Sequence, residues 1–251
     1  MSTEFLILAS AAVIIGGLIK GISGFGYAVV STSLLASLFN PADAVAVMIL
    51  PLIAIQLELL KNLGREEIKT CTNNFKPYIL GITAGTLLGF YSLSIVPTET
   101  VKIVLGILTF LFALSRTERF SLGLEKLQKK CFRRSGKVQI PLGVVSGIIF
   151  GGTNIGVQVV AYLKTMDIPN RKFVGLLALV MIPVSALRLP LVLSHGSAEL
   201  IAYSVLVAPL GMISASLGSR VAEKLSETGI RYLTVSLLLL ISLNLVRTAA
   251  L

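Results

Sequence analysis

The sequence predicts an all-α polytopic membrane protein built from two inverted repeats of about five apolar segments each. Three observations carry this. Hydrophobic residues make up 55 % of the chain and charged residues 14 %, with a mean hydropathy of +0.89; soluble chains carry about 25 % charge. The charges collect between long apolar runs. Two glycine-rich interruptions, Gly21–Gly26 and Gly151–Gly156, fall at like places in two halves of the chain.

The apolar segments run, in order, over about 5–19, 22–39, 42–60, 77–95 and 100–115, then about 138–152, 155–166, 173–193, 199–218 and 230–247. The start is not read as a cleaved signal, because Glu4 and no cation stands ahead of the first segment. A shift of about 130 residues superimposes the halves: Pro41 meets Pro169, Pro51 meets Pro183, Leu80-Gly81 meets Leu210-Gly211 and Lys102 meets Arg231. The organisation expected is a first repeat over 1–115, a basic linker over 116–137 and a second repeat over 138–251.

An odd number of segments per half reverses the direction of the second half, and the charges agree. The linker carries Arg116, Arg119, Lys126, Lys129, Lys130, Arg133, Arg134 and Lys137 against Glu118 and Glu125, which places it in the cytoplasm. Lys61–Lys76 then falls inside and Ser94–Glu99 outside. Their counterparts are reversed, with His195–Glu199 outside and Arg220–Glu227 inside. Both termini face outward. The net charge of +10 lies in these loops, so lipid headgroups and orientation explain it and no nucleic-acid partner is expected. Cys71 and Cys131 are read as reduced cytoplasmic thiols.

The segments beside each glycine break approach or fall short of the roughly 20 residues that cross a bilayer. Each pair is a re-entrant hairpin or two spans of a thinned bilayer. The hairpin, which brings both tips together, is the expectation. Peptide groups freed at such breaks need partners, and paired breaks in two halves mark a binding site where repeats meet. Helix N-termini there favour anions. Ser23, Gly24, Phe25 and Gly26 in the first break, and Thr153, Asn154 and Gly156 in the second, are the candidate ligands. The competing reading gives the glycines to tight helix packing alone.

Further candidates are Arg188, Gln56 at its repeat equivalent, Lys20 before the first break and Gln158 after the second. Arg188 either holds an anion with its fork of donors or snorkels to outer headgroups. The spans hold no thiol pair, carboxylate pair or histidine cluster, so no metal, cofactor or enzymatic chemistry is expected.

The two glycine clusters, the Asn40-Pro41 and Ile168-Pro169 turns and the stretch Leu80-Gly81-Ile82-Thr83-Ala84-Gly85 together resemble the sulfite exporter TauE/SafE family, along essentially the whole chain. The resemblance implies an inner-membrane permease for sulfite, organosulfonates or related sulfur oxyanions, with a small anion and the lipid bilayer as partners. Phe25 interrupts the first cluster, Thr153-Asn154 replaces glycines common in the second, and Ser31 stands near a frequent proline. Export is expected, because an interior-negative potential drives anions outward and no intramembrane carboxylate stands out as a proton relay. The alternatives are a non-transporting partner subunit and an uptake permease for another organic anion.

Overall fold

The computed structural model describes residues 3–23, 26–61, 63–115, 136–164, 170–194, 198–222 and 226–250. Twelve helices occupy them, and no strand is present among the described residues. The first half contains α1 (Thr3–Ser23), α2 (Tyr27–Leu38), α3 (Pro41–Val47), α4 (Ile49–Leu60), α5 (Arg65–Ser92) and α6 (Thr98–Ser115). The second contains α7 (Gly136–Thr153), α8 (Val157–Lys164), α9 (Asn170–Ala186), α10 (Arg188–Ser194), α11 (Ala198–Ala222) and α12 (Glu227–Ala250).

Among the described residues, five stretches are long and apolar enough to cross a membrane: Thr3–Ser23, Pro41–Leu60, Gly175–Ser194, Ala198–Ala222 and Arg231–Ala250. The outer surface is aliphatic, with Ile7, Leu80, Leu206, Leu240 and Leu243 exposed, while Arg188, Asn154, Gln56 and Thr32 are buried. Polar groups inside and apolar groups outside suit a chain solvated by lipid. The protein is an all-α integral membrane protein.

Two seams hold the bundle. Along α5 and α7, Gly81, Gly85 and Gly89 face the backbone at Ile140, Val144 and Ile148, while Gly143, Gly147 and Gly151 face the backbone at Tyr78, Ile82 and Thr86. Glycines four apart share a helix face, so each helix presents a strip of bare backbone to the other. A Cβ at any of these six glycines would overlap a carbonyl oxygen opposite. The second seam joins α1 to α11, where Gly17 and Gly21 lie against Gly211, Ser214, Ala215 and Gly218. In both seams residue numbers rise together along the two helices, so the partners run parallel. Lipid tails are as apolar as leucine, so close backbone packing rather than a hydrophobic drive joins such helices. Helices α6 and α12 also pack together, joined by a hydrogen bond from Ser242 Oγ to the Gly106 carbonyl (3.0 Å).

Several boundaries differ from expectation. Gly21 lies inside α1 and Gly151-Gly152 inside α7, so the breaks shrink to the residues beyond Ser23 and beyond Thr153. The glycines expected to free the chain instead let helices touch. The two members of each glycine-broken pair are also unequal in length: α1, with 21 residues, is as long as a full span, whereas α2 and α8 have 12 and 8. Each break thus joins a long helix to a short one. The basic stretch expected as a loop before residue 77 is helical from Arg65, because Glu66 and Glu67 favour its first turn and Glu67 Oε2 accepts from the Gly64 N–H (3.0 Å). Asn40 caps α3 by accepting from Ala42 N (2.9 Å), with Pro41 at the first helical position. The linker expected over 116–137 lies almost wholly outside the described residues, as does Cys131.

Candidate functional site

The second break builds a polar centre where the halves meet. Asn154 ends the turn after α7 with φ 59, the left-handed region, and is the one non-glycine residue with positive φ among the described residues. Asparagine tolerates that conformation better than most residues. Its side chain is wholly buried. Nδ2 donates to Thr32 Oγ1 of α2 (3.3 Å) and to the Val45 carbonyl of α3 (3.1 Å). Oδ1 accepts from Arg188 Nη1, at the start of α10. One carboxamide thus ties together elements from both halves.

Arg188 is the largest fully buried side chain of the described residues. It reaches no surface, so the snorkelling posture weighed from the sequence does not describe it. Phe150 of α7 covers the guanidinium face at 4.7 Å from the ring centroid. Nη1 is held by Asn154, whereas Nε and Nη2 have no hydrogen-bond partner. Those two atoms form one edge of the fork, the edge that takes two oxygens of a carboxylate or sulfonate side by side. A buried guanidinium facing only a neutral amide carries a heavy desolvation cost, several kcal/mol for an unpaired ion. An anion at the open edge would offset much of it.

Gln56 of α4 is buried against α9. Its Oε1 accepts from Ser185 Oγ at 3.4 Å, and Ser185 lies one turn before Arg188 in the chain.

Other candidates have different roles. Thr153 Oγ1 donates to the Ile149 carbonyl (2.5 Å) and accepts from Ile155 N (3.1 Å), which closes the turn. Gln158 Nε2 donates to the Ser146 and Ile155 carbonyls (2.9 and 2.8 Å) and ties α8 back onto α7. Ser23 Oγ donates to the Ile19 carbonyl (2.7 Å) instead of capping α2, whose N-cap is Gly26 with φ 90 and no side-chain cap. A Cβ at Gly26 would face Phe112 and Ile19, while one at Gly156 would face Met181 and Phe150. Lys20 is half-buried in the last turn of α1. Gly24 and Phe25 lie outside the described residues. No group of three or more His, Cys, Asp or Glu that could hold a metal is present among the described residues.

Sequence reasoning missed Thr32, Ser185, Phe150 and the Val45 carbonyl. Thr32 did carry a signal, since Ser31-Thr32-Ser33 puts three hydroxyls in a row inside an apolar helix. All three are buried, and Ser31 and Ser33 bond to the Ala12 carbonyl and to Thr109.

The fold defines the class of an all-α integral membrane protein, with a buried, half-satisfied cation inside the bundle. The chain matches the Sulfite exporter TauE/SafE family over residues 8–245 and belongs to that family. No curated protein and no solved structure matches it.

Proposed function

We propose that the protein carries a small oxyanion across the membrane, with sulfite, organosulfonates and related sulfur oxyanions as the class, and that it exports them. The observation that carries this reading is the unpartnered Nε/Nη2 edge of Arg188, buried between the two halves. Two oxygens of the anion accept from that edge, Asn154 holds the opposite nitrogen, and Phe150 fixes the plane. The family to which the chain belongs supports the sulfur chemistry.

The halves, 1–115 and 138–251, act as inverted repeats around this site. The parallel seams support that arrangement: α1 runs with α11 and α5 with α7, as alternate threading of two opposed halves requires. The basic linker over 116–137 faces the cytoplasm and both termini face outward, by the charge bias of the loops. Efflux then needs no coupling ion, because moving one negative charge out of an interior-negative cell gains about 2.3 kcal/mol per 100 mV.

Purified protein in liposomes, given labelled sulfite and a panel of small sulfonates, should release the anion faster under an imposed potential, negative on the side from which it leaves. Flux indistinguishable from protein-free liposomes for every anion would overturn the reading and favour a partner subunit that does not transport alone.

A further inference from the structure

A cavity of about 490 Å3 lies between α3 and α5 of the first half and α10 and α11 of the second. It sits at one end of the spans: Asp43 belongs to the first turn of α3, Ser94 follows the end of α5, and Leu200 belongs to the first turn of α11. From Ser94 it descends to Leu87, seven residues back, about 10 Å at the helical rise. Ala46, Val192 and Leu200 give it a buried floor, whereas Leu88 and Tyr91 are exposed on the outer surface of the bundle. The space therefore communicates with the surface that meets lipid.

Two properties bear on what it takes. Sites of about 300–1,000 Å3 hold ligands with a hydrocarbon framework, and this lining is apolar but for Asp43, Ser94 and the Tyr91 hydroxyl. Asp43 is the one lining residue with a charged side chain, and its carboxylate makes no hydrogen bond or ion pair with a described residue. A carboxylate unpaired against apolar walls is costly. A cation at the rim would offset that cost, whereas an anion would add to it. Glu199, immediately before Leu200, brings a second acidic residue to the same end of the bundle.

We infer that this cavity holds the upper part of one acyl chain of a phospholipid whose headgroup carries a primary ammonium, of the phosphatidylethanolamine type. The ammonium donates to the Asp43 carboxylate, and the chain lies on Ala46, Val192 and Leu200. Depth fits this posture, since Asp43 is the third residue of the span Pro41–Leu60 and so stands at the level of headgroups. A lipid seated here touches helices of both halves and bridges them. The inference does not rest on the anion site proposed above.

The test uses the purified full chain in detergent, with dioleoyl phosphatidylethanolamine and dioleoyl phosphatidylglycerol titrated separately and bound lipid counted by native mass spectrometry. The chains are identical, so only the headgroup differs. Wild type should bind one phosphatidylethanolamine about fivefold more tightly than the glycerol lipid, the worth of one partly exposed ion pair. Asp43→Asn, which keeps the shape and drops the charge, should erase the preference, and Asp43→Lys should reverse it. Ala42→Leu, which places a larger side chain among the lining residues, should weaken both lipids alike. Melting midpoints with each lipid should follow the same order, because a ligand of the folded state raises its stability. Equal affinity of wild type for the two lipids, or a preference unchanged in Asp43→Asn, would overturn the ammonium contact and leave a site for any acyl chain. Lipid binding unaffected by Ala42→Leu would overturn the cavity as the site.

Discussion

Arg188 Nη1 donates to Asn154 Oδ1 across 34 positions of chain, and neither residue exposes any surface. The amide occupies one end of the guanidinium and leaves the other to an incoming ligand. Arg188→Lys keeps the charge but loses the fork, so the affinity for the transported anion should fall about ten- to a hundredfold, the worth of one charge-assisted contact at about 1.5–3 kcal/mol. Arg188→Gln, which copies Gln56, should weaken it further. Concentration dependence of flux at matched protein density measures both; Lys equal to wild type would remove Arg188 from the site.

Asn154→Asp tests the same contact from the other side. A carboxylate 154 would pair with the guanidinium and compete with the anion inside the protein. Transport should be lost, while the stability gained from the counter-charge is offset where the second carboxylate oxygen meets the Val45 carbonyl that Nδ2 now serves. An active Asn154→Asp variant would contradict the proposed placement of the anion.

The left-handed backbone at Asn154 allows a separate check of local strain. Asn154→Ala and Asn154→Gly both delete the carboxamide, but only glycine occupies φ 59 without cost. The glycine variant should be the more stable of the two by about 1 kcal/mol or more, read as the difference between their denaturation midpoints in detergent. Alanine at or above glycine would argue against this conformation.

Glycine substitutions should separate packing from function. Gly147→Leu would drive a side chain into the Ile82 carbonyl and the Thr86 backbone. Backbone cannot yield as side chains do, so the variant should fail to accumulate as folded protein. Gly156→Ala would press mainly on the Met181 terminal methyl, 2.9 Å from the added Cβ, which can swing aside. That variant should fold, and size-exclusion profiles in detergent would show the contrast.

Orientation is accessible to thiol labelling. Cysteines placed at Thr98 and Ser197 should react with an impermeant maleimide added to intact cells, whereas native Cys131 should not. Reaction at Cys131 would invert the assignment.

What the sequence disclosed depended on whether a signal was local. The Asn40-Pro41 helix start was legible because an N-cap followed by proline is a two-residue signature. Arg188 stood out because a cation deep in an apolar run has few innocent explanations. Asn154 stood out by its place in the second break, but Thr32, its partner 122 positions away, did not, since a lone contact has no periodicity. Gly21 and Gly151 were misassigned to the breaks because glycine content alone does not separate a free backbone from a close-packed one. The four-residue spacing of Gly17 with Gly21, and of Gly143, Gly147 and Gly151, held that distinction, since it sets bare backbone on one helix face. The helical Arg65–Lys76 stretch was obscured because its charges read as loop, although nothing before Pro77 breaks a helix.

The seam between α1 and α11 has a consequence for biosynthesis. The nascent α1 enters the bilayer long before the ribosome has made Gly211 and Gly218, the residues that cover its Gly17–Gly21 strip. Through most of translation that strip has no mate, and lipid or the insertion machinery must shield it. The bundle can close only when nearly the whole polypeptide has been synthesised. A chain stalled before α11 would leave α1 unclaimed and open to quality-control proteases, however well its earlier helices had inserted.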